Sequence, residues 1–175
     1  MGRVAEVILK SHVRMRMMSE KLLVGISPAQ FARLGAPGGK VIESNHPAWV
    51  YGHLAIYPSR VLTVLGSPMA DSVAVSPTFV ELFKDGTKCL DDSEGKIYPR
   101  MEEITKAFFK GHDALAAFVA TLSDETLLKD HPDEARRVNF PVLGAHVNFM
   151  LNDHIAFHLG QASAWRRMIG LGSAV

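Results

Sequence analysis

Cysteine is nearly absent from the chain: Cys89 is the single one in 175 residues. No disulfide can form within the chain, and a reducing compartment is the simplest setting for it. Cys89 falls in a predicted loop with no histidine or helix start close in sequence, which makes it an incidental thiol. Long apolar runs are missing too, since no stretch approaches the roughly 18 uninterrupted residues of a spanning helix. Charge of one sign is also lacking: 19 Lys and Arg stand against 18 Asp and Glu, for a net charge of +1. Arg16, Arg60, Arg136 and Arg166 are scattered along the sequence. The basic footprint of a nucleic-acid binder is therefore not there. The opening "MGRVAEVILK" is interrupted by Glu6 and has no cleavage-site pattern. Glu6 also stands where a myristoylation signal wants Ser or Thr. The expectation is a soluble, cytoplasmic protein with neither membrane nor nucleic-acid partner.

What the chain does have is apolar content, 47% hydrophobic against 21% charged, with no low-complexity segment. One domain over residues 1–175 with a single sizeable core is the expectation. Apolar positions recur at helical spacing in four stretches. The first covers residues 3–26, with Ile8, His12, Met15, Met18 and Leu22 on one stripe. "SPAQFARLG" adds a short turn with Ser27 as cap, Pro28 at the first position and Gly35 as stop. The second, "ESNHPAWVYGHLAIYPSRVLTVLG", has Asn45 as its predicted cap and Pro47 in its first turn. Val50, His53, Tyr57, Val61 and Val64 share a face there, and Pro58 predicts a kink or break.

The third stretch, residues 99–122, carries Met101, Ile104, Phe108, Leu115, Phe118 and Leu122 on its stripe. The fourth, residues 141–170, would be one rod of roughly 45 Å. "DSVAVSPTF" is the best strand candidate, but it is short and runs into a capped turn, "SPTFVELFKDG". Four long amphipathic helices predict an all-α four-helix bundle. Residues 66–98 between the second and third are a long connection. We expect it to pack over one end of the bundle on Phe79, Leu82 and Phe83, and to wall or cover a site.

The fourth stripe reads Leu143, Val147, Met150, His154, His158, Gln161, Trp165 and Met168. Two imidazoles and an amide thus lie in line with residues that must bury. Each histidine could be a core residue satisfied by hydrogen bonds, or both could hold one metal. Residues four apart on a helix lie about 40° apart in azimuth and roughly 6 Å apart along the axis, close enough for two ring nitrogens to converge. His53, on the inward face of the second stretch and preceded by Gly52, adds a third ligand. Three histidines with a position left open is the arrangement of catalytic zinc. Asp153, Glu102 and Glu103 lie off the relevant faces and are poor competitors. His12 and His112 read as structural, His46 as a first-turn residue and His131 as a loop residue. His146 could reach the site only through a distorted helix.

"NHPAWVYGHLA" together with the later "LNDHIAFHLGQASAWRRMIGL" resembles the DinB-like superfamily, the DinB/YfiT-like metalloenzymes. Trp49, Gly52 and His53 match the first part of the family pattern, and His154, His158, Gly160 and Gln161 the second. Pro58 departs from it. The resemblance implies an up-down-down-up four-helix bundle, often a homodimer. It also implies a divalent transition metal, zinc or nickel, on His53, His154 and His158. Some branches of the family are transferases or isomerases using bacillithiol or mycothiol, and others are classed as metal-dependent hydrolases.

A divalent ion on three neutral imidazoles keeps its full charge and can turn a thiol or water into a nucleophile near neutral pH. The expected function is a metal-dependent enzyme that transfers a small thiol to, or hydrolyses, a small-molecule substrate. The alternative is a non-catalytic protein that captures a small molecule at a metal. Gln161, Tyr51 and Tyr57 are candidate helpers. Each also has a plain structural role, Gln161 in a hydrogen bond across the bundle and the tyrosines in interior packing.

Overall fold

The computed structural model describes residues 2–174. The architecture is all-α, and no strand forms among the described residues; isolated bridges join Gly35 to Ile42 and Asp130 to Val142. The first stretch is α1, Arg3–Leu23, a turn shorter than its apolar pattern suggests. It has no cap of its own. Asp124 supplies one from far along the chain, accepting from the Arg3 and Val4 N–H groups at 3.1 and 2.8 Å. At the other end the buried Arg166 guanidinium donates to the Leu22 and Val24 carbonyls at 2.9 and 2.6 Å. Both ends of a helix leave backbone groups without intrahelical partners, and here distant side chains satisfy them. The short turn α2, Pro28–Phe31, comes next.

The second stretch is two helices, α3 (Pro47–Ala55) and α4 (Pro58–Val64). Pro58 opens the second of these, where its missing N–H is harmless. The predicted cap is displaced by one residue. His46, not Asn45, caps α3, its Nδ1 accepting from the Trp49 N–H at 3.2 Å while Nε2 donates to the Leu90 carbonyl at 2.9 Å. The strand candidate is instead a 3-10 turn at Asp71–Val73 leading into α5, Pro77–Phe83, which Ser76 caps. The third stretch is α6, Met101–Val119, and a turn at Asp124–Leu127 is α7.

The fourth stretch departs furthest from expectation. It comprises α8 (Leu143–Asn148), a π-helical turn at Phe149–Asp153, and α9 (His154–Met168). A π turn inserts one extra residue and rotates the rest of the helix by about 100°. Leu151, Ile155, Leu159, Ala162 and Arg166, each one residue later than a position of the predicted stripe, are accordingly buried, alongside Met150, His158 and Trp165 of the stripe itself. His154 and Gln161 move to the edge of the apolar face, each half-buried, instead of its centre. Hydrogen bonds with α1 secure the turn: His12 Nδ1 lies 2.9 Å from the Leu151 carbonyl, and Asn152 Nδ2 of the turn donates to the Ile8 carbonyl at 3.1 Å.

α1 packs along α9 and the π turn, α3 packs on α6 and α9, and α4 packs on α6. Between them lie two cores. One is built around Tyr51, Phe83, Phe108 and Trp165, the other around Leu62, Leu115, Val147 and Leu151. No helix of the described residues is long and apolar enough to cross a membrane.

Candidate metal centre

His53, His154 and His158 each bring one ring nitrogen into a group within 4.8 Å of one another. They come from two helices, His53 from α3 and the other two from adjacent turns of α9. His53 and His158 are buried, and His154 is half-buried at the mouth. The Nε2 atoms of His53 and His154 stand 3.3 Å apart. Two nitrogens bound tetrahedrally to one ion at 2.0–2.1 Å would be about 3.3 Å apart.

Tautomers decide whether the lone pairs face inward. His53 Nδ1 lies 2.8 Å from the Phe83 carbonyl, which can only accept, so Nδ1 carries the proton and Nε2 the lone pair. His158 Nδ1 likewise donates to Gln161 Oε1 at 3.0 Å. That oxygen in turn accepts from Asn45 Nδ2 at 3.0 Å, so the hydrogen bond from Gln161 across the bundle exists and also orients the His158 ring. Outer partners that fix ring orientation and raise nitrogen basicity are what metal-ligating histidines require. Protons do not compete well for these nitrogens. Burial and the two neighbouring imidazoles push His154 down to about 3. Burial lowers His158 to about 4, against the opposing Gln161 bond, and burial also lowers His53. The donor set fits a divalent transition ion.

The packing behind the three histidines explains Gly52. A Cβ there would collide with the Phe83 ring, so the missing side chain lets α5 settle against α3 and deliver its last carbonyl to His53. Trp49 stacks on His53 at 4.7 Å and 9°, and its Nε1 donates to Thr87 Oγ1 at 3.1 Å. The long connection thus walls the site, anchored by the fully buried Phe83, with Phe79 and Leu82 partly buried beside it.

Of the tyrosines, Tyr57 is at the site, its ring 5.0 Å from that of His53 and 4.9 Å from that of His154. Burial first, then Asp85, pushes its hydroxyl up to about 12, so it stays a donor at neutral pH. Tyr51 is elsewhere. Its hydroxyl donates to the Ser19 carbonyl at 2.6 Å and its ring packs on Phe31 and Phe108. Cys89 is buried, which raises its thiol to about 11 and leaves it unreactive.

Asp85 is the group that sequence reasoning misses. It comes after α5 on an exposed turn, and Oδ1 lies 3.8 Å from His53 Nε2. No spacing pattern connects it to the histidines; only the "FKDG" turn marks a break in the chain there. His146 is not in this group; it pairs with His131, Nδ1 to Nε2 at 3.0 Å, and stacks on Phe140.

A sequence model of the DinB superfamily matches residues 11–162. The chain belongs to the DinB superfamily. The matched span takes in all three histidines and Gln161, so the DinB assignment and the geometry concern the same residues. A comparison with curated proteins gives no match.

Proposed function

We propose that this DinB superfamily protein is a metal-dependent enzyme acting on a small molecule, with His53, His154 and His158 as ligands of zinc or nickel. The observation that carries the reading is the pair of fixed tautomers: the Phe83 carbonyl and Gln161 turn two Nε2 lone pairs into one space. The ion would supply positive charge that lowers the pKa of a thiol or water toward neutrality. The chain's own groups complete the chemistry. Asp85 Oδ1, at the mouth, accepts the proton that the nucleophile gives up. The Tyr57 hydroxyl, held protonated, donates a hydrogen bond to oxygen on the substrate as charge builds there. Trp49 and Phe83 close the inner side to water. A low-molecular-weight thiol is the preferred nucleophile and water the second.

The purified protein should carry about one zinc or nickel per chain by elemental analysis, and His154→Ala should lose it. Metal-loaded protein should join a thiol such as glutathione or cysteine to 1-chloro-2,4-dinitrobenzene, or hydrolyse a nitrophenyl ester, and chelation should abolish the turnover. Full metal occupancy in a His53→Ala, His154→Ala double variant would overturn the ligand set. A protein that holds the metal but turns over none of these substrates before or after chelation would instead be one that only captures a ligand.

A further inference from the structure

Next to the histidine cluster is a cavity of about 500 Å³, of a size for a small organic ligand. His154 and Tyr57 form its inner end. Phe140, Phe149 and Met150 make an apolar wall. That wall is continuous with the site, because Phe149 stacks on His154 at 5.4 Å and 15° and touches Phe140 at 5.2 Å. The rim is charged, with Arg60, Lys84 and Arg136 against the single carboxylate of Asp85. Three cations thus face one anion among the lining residues, and two of the three are offset by carboxylates just outside the cavity.

The cations are not equally occupied. Lys84 is held by Glu81 at 2.6 Å, and Arg136 by Asp133 at 3.3 Å. Arg60 has no ion pair among the described residues; its guanidinium lies 5.5 Å from the centre of the Tyr57 ring. That puts it one ring away from His53 and His154. Arginines present a planar fork that matches carboxylate or phosphate, so a free one over an apolar wall selects an anionic group on an apolar body.

We propose that the cavity binds an organic anion, its flat or aliphatic body on Phe140 and Phe149 and its carboxylate or phosphate on Arg60 and Arg136. Asp85, on the same rim near His53, repels the anionic group and so sets which end faces the histidines. Only that direction rests on the metal-centre reading; the anion site stands on its own residues.

The test uses chelated, metal-free protein, because an anion could otherwise ligate the ion directly. Benzoate, phenyl phosphate and the neutral benzyl alcohol are titrated calorimetrically into wild type, an Arg60→Gln, Arg136→Gln variant and a Lys40→Gln, Lys88→Gln charge control. One anion should bind at least about tenfold more tightly than benzyl alcohol, and the arginine variant should lose that preference. Tighter benzoate assigns a carboxylate site, and tighter phenyl phosphate a phosphate site. The lysine control should bind as wild type does. Arg60→Gln alone should already weaken the anion several-fold, with an unchanged far-UV spectrum. Equal binding of benzyl alcohol, an unaffected arginine variant, or an equal loss in the lysine control would overturn the proposal. Metal content separates the two readings. Anion selectivity in a wild type that never holds metal sinks the metal centre alone, and absent selectivity in a protein that holds about one metal sinks the anion site alone.

Discussion

Gly52 acts through the side chain it does not have. Phe83 occupies the space beside it, and the Phe83 carbonyl holds the proton of His53 Nδ1. Gly52→Val should therefore push α5 outward, with a loss of about 1–3 kcal/mol in stability from overpacking. Metal affinity should drop about 10–100-fold as the outer partner is lost. A melting curve and a metal-competition titration read the two effects; unchanged values for both would show that Phe83 does not set the ligand. Asp85→Asn is the opposite case, a change to a side chain 90% exposed with no core role. It should leave metal content and melting temperature as they are and lower turnover by about 100-fold or more, as removal of a proton acceptor does. Equal turnover in the variant would remove Asp85 from the chemistry. His154 and His158 are legible in the sequence as a pair because helical spacing puts residues four apart on one side. Asp85 is not, since a turn after a separate short helix carries it in and nothing local records the distance. Arg60 and Arg136 read as scattered, which is true along the chain and untrue across the cavity rim.

Among the elements, the π turn at Phe149–Asp153 has the largest consequence. A uniform 3.6-residue period puts His154, His158 and Gln161 on one stripe with the apolar residues of the last helix. It puts His154 on the centre line because no sequence rule announces one inserted residue. With the insertion, Ile155 and Leu159 take the core and His154 reaches the mouth of the cavity. Removing the insertion should set core and site against each other. Deletion of Asp153, an exposed residue of the turn, should keep the far-UV helical signal while metal content falls well below one per chain and the melting temperature drops. A deletion variant with full metal content would mean that the turn has no part in placing His154. The break of the second stretch at Pro58 is legible for a simpler reason: a proline has no N–H to give. The cap of α3 is not, because Asn45 and His46 can both accept a backbone N–H, and Gln161 engages the first.

At the scale of the whole molecule, two conditions should separate what holds the fold from what serves the site. Acid is the first. His112 is buried against Phe108 and His12, and burial lowers it to about 4 from an ordinary 6.5. The unfolded chain therefore binds a proton near pH 6.5 that the folded chain refuses until about pH 4. Between these values the unfolded state holds more protons, so stability falls as pH falls, by up to about 1.4 kcal/mol per unit for this one group. His146, lowered to about 4 by burial and by His131, acts in the same direction. Urea midpoints of metal-free protein should decline steadily from pH 7 to pH 4, and a flat profile would show that these histidines are not buried neutral.

Metal removal is the second condition, and it bears on whether the centre is catalytic or structural. A structural ion holds together a chain too small for its own core and saturates its coordination with protein ligands. This chain has two apolar cores, built from all four helical stretches, with Trp165, Tyr51, Phe83 and Phe108 among the fully buried side chains. Both ends of α1 are closed by Asp124 and Arg166 and not by the three histidines. Chelation should therefore leave the far-UV helical signal intact at room temperature. It should still lower the melting temperature, because an ion that binds only the folded state adds about 3 kcal/mol at a hundred times its dissociation constant. For a chain of this size that is a shift of roughly 5–10 °C. The shift should vanish in His154→Ala, which has no complete site to lose. Loss of the helical signal when the wild type is chelated would make the centre a staple of the fold and leave no open position for substrate chemistry.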